Sequence, residues 1–312
     1  HACWELDIEC VEVPMADGGD GLVDALGGPN RTSTVTGPLG DPVEAPWRLS
    51  RGTAVIEMAS ASGLVLAGGA DGNQPLDATT TGTGELIDHA LDAGARRIVV
   101  GLGGSATTDG GFGAIRAITA VSRLKQVELV VACDVTTTFT DAAVTFGPQK
   151  GASRAQVELL SRRLDRMVQM FHDEFGVDVT EIEGGGAAGG LGGALAALGG
   201  RLVPGVELVA DELDLYDHLV GADLVITGEG HLDRTSFDGK VVGGVASIAA
   251  EEGVPTLAVA GAIDPPLRPG HRLLVDVVSL VDEVGTDDAF DEPKRSLERV
   301  TAAWLAAHRA PS

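Results

Sequence analysis

The chain has 312 residues, 46 acidic against 22 basic, and a formal net charge of −24. That balance excludes general nucleic-acid binding, because phosphates are repelled where no basic stripe answers them. Hydrophobic residues make up 44% and aromatics only 4%, so a core must rest on Val, Leu, Ile and Ala, and no apolar run has the length of a membrane span.

In chain order, apolar runs at residues 8–13, 53–58, 97–100, 127–135, 224–227, 256–260 and 275–280 read as strands. Helical patterns fall at 21–26, 84–93, 154–175, 190–198, 241–252 and 293–308. Their alternation predicts an α/β protein with a largely parallel sheet. From residue 224 to 280 the order of strand, polar loop, helix and strand is that of a doubly wound sheet. Residues 34–213 are more irregular and carry most of the glycine loops. The expectation is two domains: a discontinuous, Rossmann-like three-layer parallel-sheet domain from 1–33 plus 215–312, and an inserted glycine-rich α/β domain at 34–214. Linkers are expected near 28–34 and 211–219, and the acidic stretch 282–292 as a solvated loop.

The stretch 101–111, GLGGSATTDGG, follows an apolar strand directly. Glycines let the backbone approach a ligand, and Ser105, Thr107 and Thr108 add hydroxyl donors. Asp109 can hold a metal or take a proton. Similar polar clusters recur at 15–21, 79–85, 146–152, 184–193 and 227–240. In 15–21, MADGGDG, Asp17 and Asp20 lie on a turn after a strand, where two carboxylates can bind Mg²⁺ or simply cap the turn. The run 184–193, GGGAAGGLGG, permits tight helix packing, or a helix N-terminus that offers N–H groups to an anion. The cluster 227–240 brings Glu229, His231, Asp233, Arg234 and Lys240 after one strand, and such charges are costly to bury without purpose. The lysines are few, and Lys150 and Lys240 both fall inside glycine-flanked clusters.

Other chemistries find no pattern. Gly101-x-Gly103-x-x-Ala106 and Gly184-x-Gly186-x-x-Gly189 match a dinucleotide fingerprint loosely, without an acidic residue ending the next strand. There is no Walker A loop, since Val241 follows Gly239-Lys240. No nucleophile elbow and no zinc spacing occur. Cys3, Cys10 and Cys133 form no CxxC motif, which fits a reducing cytoplasm, and Cys133 reads as a small core residue.

Taken together these blocks resemble the class I glycerate kinase family, the glycerate 2-kinases. The matching stretches are PMADGGDG (14–21), VTGPLGDPV (35–43), AVIEMASASGL (54–64), TTTGTGELI (79–87), GLGGSATTDGG, VACDV (131–135), FGPQKGA (146–152), GGGAAGGLGG and ADLVITGEGHLD (222–233) with Gly239-Lys240. They follow the family's order across nearly the whole chain. The resemblance implies a cytoplasmic two-domain enzyme that moves the γ-phosphoryl group of ATP to D-glycerate with Mg²⁺, giving 2-phosphoglycerate. It implies no nucleic-acid or membrane partner and leaves a homo-oligomer open.

Departures from the family pattern are specific. The APDSFKG-like motif has no counterpart in this sequence. Thr136 to Thr140 replace an asparagine-proline segment, His231 stands for the usual arginine and Arg234 for the usual glutamine.

On the kinase reading, Asp109 or Asp233 receives the substrate hydroxyl proton, with Lys240 as a further catalytic residue. Asp17 and Asp20 hold the metal. Lys150, Arg234, Glu229, Gly103, Gly104, Ser105, Thr107, Thr108, Gly185 and Gly186 contact substrate or phosphate. Two alternatives stay open at this point: a catalytically impaired glycerate- or nucleotide-binding homologue, and a nicotinamide-dependent hydroxy-acid dehydrogenase.

Overall fold

The computed structural model describes residues 1–237, 239–264 and 272–308. It is a mixed α/β structure with a six-stranded sheet, ordered β1–β2–β3–β4–β5–β6, and a three-stranded sheet, β7–β8–β9. Strands β1 (Arg31–Thr36) and β2 (Pro42–Ser50) form an antiparallel ribbon, and β2 pairs antiparallel with β3 (Thr53–Glu57). From β3 onward the sheet is parallel, through β4 (Arg97–Gly101), β5 (Glu128–Ala132) and β6 (Arg201–Val203). The register aligns Glu57, Gly101, Ala132 and Val203 in one row. Four polypeptide segments therefore leave the sheet side by side at its carboxyl edge, where parallel sheets bind ligands.

Helix α1 (Thr81–Asp92) connects β3 to β4 and buries Leu86, Ile87 and Leu91. These pack with Ile56, Ile98, Val100 and Val131 in the main core. Helix α2 (Arg154–Phe175) starts in a capping box between Ser153 and Gln156 and ends at Gly176. Its Leu160, Leu164 and Phe171 form a second core with Phe139 and Ala194, and the Phe139 and Phe171 rings meet edge-on at 5.6 Å. Helix α3 (Ala187–Ala197) starts before the expected residue 190, and its first turn is broken by left-handed Ala188, Gly189 and Gly190.

Contacts divide the chain into two compact units, His1–Met15 with Ala210–Ser312, and Ala16–Val209. The smaller contains β7 (Val225–Leu232), helix α4 (Val241–Glu251), β8 (Thr256–Ile263), β9 (Asp276–Ser279) and helix α5 (Pro293–His308). Its three strands are all parallel, with α4 between β7 and β8.

Several expectations change. Residues 16–33, assigned to the first domain from sequence, belong with the larger unit. There Leu22 is fully buried, and the Glu57 carboxylate accepts hydrogen bonds from Gly21 N and Val23 N at 3.1 and 2.7 Å. The run 8–13 forms no strand, and the expected linkers hold the start of β1 and the helices Gly205–Glu212 and Leu215–Leu219. The stretch 282–292 lies mostly in the short helices Leu280–Val284 and Thr286–Asp291, where acidic first turns suit the helix dipole.

Candidate active site

In the larger unit the glycine loop after β4 lies against the loop carrying Asp17 and Asp20, with Gly103 N donating to Gly18 O at 3.4 Å. Gly104, at φ +68°, is exposed, and a Cβ placed there would come within 3.1 Å of Asp20 Oδ1. An L side chain would be strained at that φ and would crowd the carboxylate, so glycine keeps the approach to Asp20 open. Gly103 and Ser105 are half-buried.

The second half of the same loop is packed inside. Thr107 and Thr108 are 0% and 1% exposed, so neither hydroxyl faces solvent. Lys150 is buried as well, and its ammonium donates to Thr107 O at 2.7 Å. Burial pushes the ammonium down to about 7, although the nearby Asp109 charge favours the protonated form. Asn73 ties the region together by donating to Ala106 O and Lys150 O. Lys150 thus supports the loop from beneath, where a phosphate contact was expected.

Asp109 is half-buried and accepts four hydrogen bonds. Thr80 N and Thr80 Oγ1 reach Oδ2 at 2.9 and 2.8 Å, Gly113 N reaches it at 3.1 Å, and Gly111 N reaches Oδ1 at 3.0 Å. Burial raises its pKa, opposed by these donors. The carboxylate sews the start of α1 to the glycine loop, and its oxygens are occupied by that task.

The glycine run 184–193 is interior packing. Gly185 N donates to Ile182 O and Gly186 N to Thr137 O, so neither N–H is available to the anion expected there. Gly189, at φ +67°, lies so close to the loop that a Cβ would stand 2.1 Å from Thr107 O. The second loose dinucleotide match is therefore the surface on which the glycine loop rests.

Asp134 carries a signal that motif reading passed over. It follows β5 by two residues, is half-buried, and its Oδ1 accepts from Gly205 N at 2.8 Å. Burial raises its pKa to about 7, helped by the negative charges of Asp17 and Glu207. Asp17 itself closes a turn, its Oδ1 accepting from Gly19 N at 3.0 Å. Cys133 is pushed up to about 11 by burial, so its thiol stays protonated at neutral pH.

In the smaller unit Asp233 follows β7 and accepts from Thr235 N, Thr235 Oγ1 and Ser236 N at 2.7, 2.6 and 3.1 Å. The Thr235 hydroxyl bond is the main reason its carboxyl lies below the usual range. Lys240 stands at the start of α4 with Nζ 4.0 Å from Asp233 Oδ1, and Arg234 is exposed. Glu229 lies on β7 with a buried Oε1 that has no hydrogen-bond partner. His231 Nε2 pairs with Asp264 Oδ1 at 3.1 Å. Asp238, within the same motif, lies outside the described residues.

Known proteins resemble this chain over most of its length. The family model described as "Glycerate kinase family" matches residues 2–122 and 118–308. "Glycerate 2-kinase" of Escherichia coli (strain K12) is 41% identical, over 91% of this chain and 85% of the relative. "Glycerate kinase" of Halalkalibacterium halodurans is 43% identical, over 94% and 89%. A crystal structure from Salmonella typhimurium LT2, assigned provisionally as glycerate kinase 2, superposes with a TM-score of 0.79 at 38% identity, covering 97% of this chain and 91% of that one. The chain belongs to the glycerate kinase family.

Proposed function

We propose that the protein is an ATP-dependent glycerate kinase that transfers the γ-phosphoryl group to D-glycerate, giving ADP and 2-phosphoglycerate. The observation that carries this reading is the placement of Asp134 in a member of this family: it follows β5 at the carboxyl edge of the parallel sheet, half-buried and held by Gly205 N, where burial pushes its carboxyl up to about 7. The name of the Escherichia coli relative supports the 2-phosphorylated product.

A general base works best with a pKa near the operating pH, and kinases use a carboxylate to accept the hydroxyl proton of the acceptor. Gly205 N holds one oxygen of Asp134 and orients the other. As the glycerate oxygen bonds to the γ-phosphorus, its proton passes to Asp134 and the bond to the bridging oxygen of ADP breaks. Asp134 then releases the proton to solvent. Asp109 or Asp233 is the base expected from sequence; both accept hydrogen bonds within their own units, and Asp134 is preferred for the role. The open backbone of Gly103 and Gly104, with the Ser105 hydroxyl, supplies hydrogen bonds to substrate oxygens. Within the smaller unit, Lys240 and Arg234 beside the N-terminus of α4 form a positive patch suited to phosphate, and Glu229 has an unpartnered oxygen able to accept a hydrogen bond.

Mg²⁺ prefers oxygen ligands and keeps several waters, so one or two carboxylates with phosphate oxygens suffice. Among the described residues no group of three or more His, Cys, Asp or Glu is arranged to hold a metal. Asp20 fits the lesser requirement, being exposed and facing the side-chain-free position 104, and it would hold the ion. When bound, Mg²⁺ supplies neutralisation of charge on the transferred phosphoryl oxygens.

A coupled ADP-release assay with D-glycerate tests the base assignment. Asp134→Asn should lower kcat by about a hundredfold or more, in the range typical of general-base loss, with KM for glycerate little changed. A variant that retains kcat removes Asp134 from this role.

A further inference from the structure

Beneath the glycine loop of the larger unit, two segments remote in sequence are locked together, 69–73 and 146–152. Gly151, at φ +86°, lies so close to Ala70 that a Cβ would stand 2.1 Å from Ala70 O, so only glycine lets these backbones meet. The short helix Gly69–Gly72 ends at Asn73, whose N–H donates to Gly69 O at 3.0 Å and which is 9% exposed.

Asn73 uses its amide in one direction only. Nδ2 donates to Ala106 O at 3.0 Å and to Lys150 O at 2.8 Å, while Oδ1 is buried with no hydrogen-bond partner. An unpaired buried acceptor is costly, so packing alone does not favour an amide at this position. What asparagine supplies is the pair of donors that joins three segments. Its effect reaches the open part of the glycine loop. Ala106 N donates to Ser62 O at 3.0 Å and Leu64 N to Gly104 O at 2.8 Å, with Ser105 opposite Gly63 between them. Ala106 O is then held by Asn73, and Thr107 O by Lys150 Nζ, whose own backbone Asn73 also holds. The peptides on both sides of Ala106 are therefore fixed, and with them the direction in which Ser105 leaves the loop. Donors held in place before a ligand arrives bind it without a further ordering cost.

We propose that Asn73 is a positioning residue for glycerate, fixing the Gly103 to Ser105 donors by holding Ala106 and Lys150 from below, an assignment that rests on the kinase reading. Asn73→Leu keeps the approximate shape and removes both donors.

In the ADP-release assay Asn73→Leu should raise KM for glycerate about tenfold or more, with KM for ATP and kcat per folded protein within about twofold of the parent, the pattern of lost ground-state contacts. A merely structural role would lower the folded fraction and leave KM unmoved. Leu91→Ala, which opens a cavity in the main core at the far end of α1, supplies that comparison and should leave both KM values within about twofold while lowering stability. Asn73→Ser, whose hydroxyl can donate to only one of the two carbonyls, should give a smaller rise in the same KM and serves where Asn73→Leu does not fold. A folded Asn73 variant whose KM for glycerate is unchanged overturns the assignment, as does an equal rise in KM for ATP. A parent that releases no ADP with glycerate contradicts the kinase reading and this assignment together, whereas an active parent with an unmoved variant contradicts the assignment alone.

Discussion

At Asp109 both carboxylate oxygens meet donors, from Thr80, Gly111 and Gly113. Asparagine in its place would keep one oxygen but turn an –NH₂ group toward N–H donors. At least one of them would lose its partner, at about 1–3 kcal/mol for each buried group left unsatisfied. Asp109→Asn should therefore lower the stability of the larger unit by that order in urea denaturation, with any loss of activity following the loss of folded protein. Lys150 gives a pH signature. Its folded pKa of about 7 lies below the usual 10.5, so the unfolded chain holds the proton more tightly between those values. Unfolding free energy should rise from pH 7 to about 10 through this group and carry the full burial cost below pH 7. Lys150→Met should lack that rise when denaturation is compared at pH 6, 7.5 and 9.

Among the elements, α2 was legible to its ends because its signals are local: the Ser153 and Gln156 box, the apolar stripe and Gly176. The β1–β2 ribbon was not. Its strand RTSTVT is polar and mostly exposed, and the partner contains Pro42 and Pro46, so only pairing between the two reveals either. Residues 8–13 carried the opposite error, since a strand-like apolar run is a strand only where a neighbour offers hydrogen bonds. Helix α3 shows the same dependence. Gly189 has positive φ because the helix start must fit against Thr107, and a Cβ there would meet Thr107 O at 2.1 Å. Gly189→Ala should destabilise the larger unit by more than about 1 kcal/mol, from the left-handed backbone alone and before the clash is counted. Thermal unfolding of the variant checks this, and an unshifted midpoint would contradict the packing described.

Across the whole molecule, the sequence blocks located the loops that border the parallel sheet, but not the part each residue plays in them. The stretch 101–111 reads as one ligand loop. Tertiary packing divides it into an open start at Gly103 to Ser105 and a buried end at Thr107 and Thr108. Asp134 escaped notice because its perturbation comes from burial and from Asp17 and Glu207, which are remote in sequence. The dehydrogenase alternative, drawn from spacing alone, gives way to family membership and to a glycine run in which the N–H groups of Gly185 and Gly186 are already bonded. The central claim is that these loops serve phosphoryl transfer to glycerate. Phosphorus NMR of the protein with ATP, Mg²⁺ and D-glycerate tests it most directly. The account predicts loss of the ATP γ-signal with equal gains of ADP and of a phosphomonoester coupled to the single proton on C2. A glycerate-independent spectrum, or a phosphomonoester coupled to the two protons on C3, would contradict it.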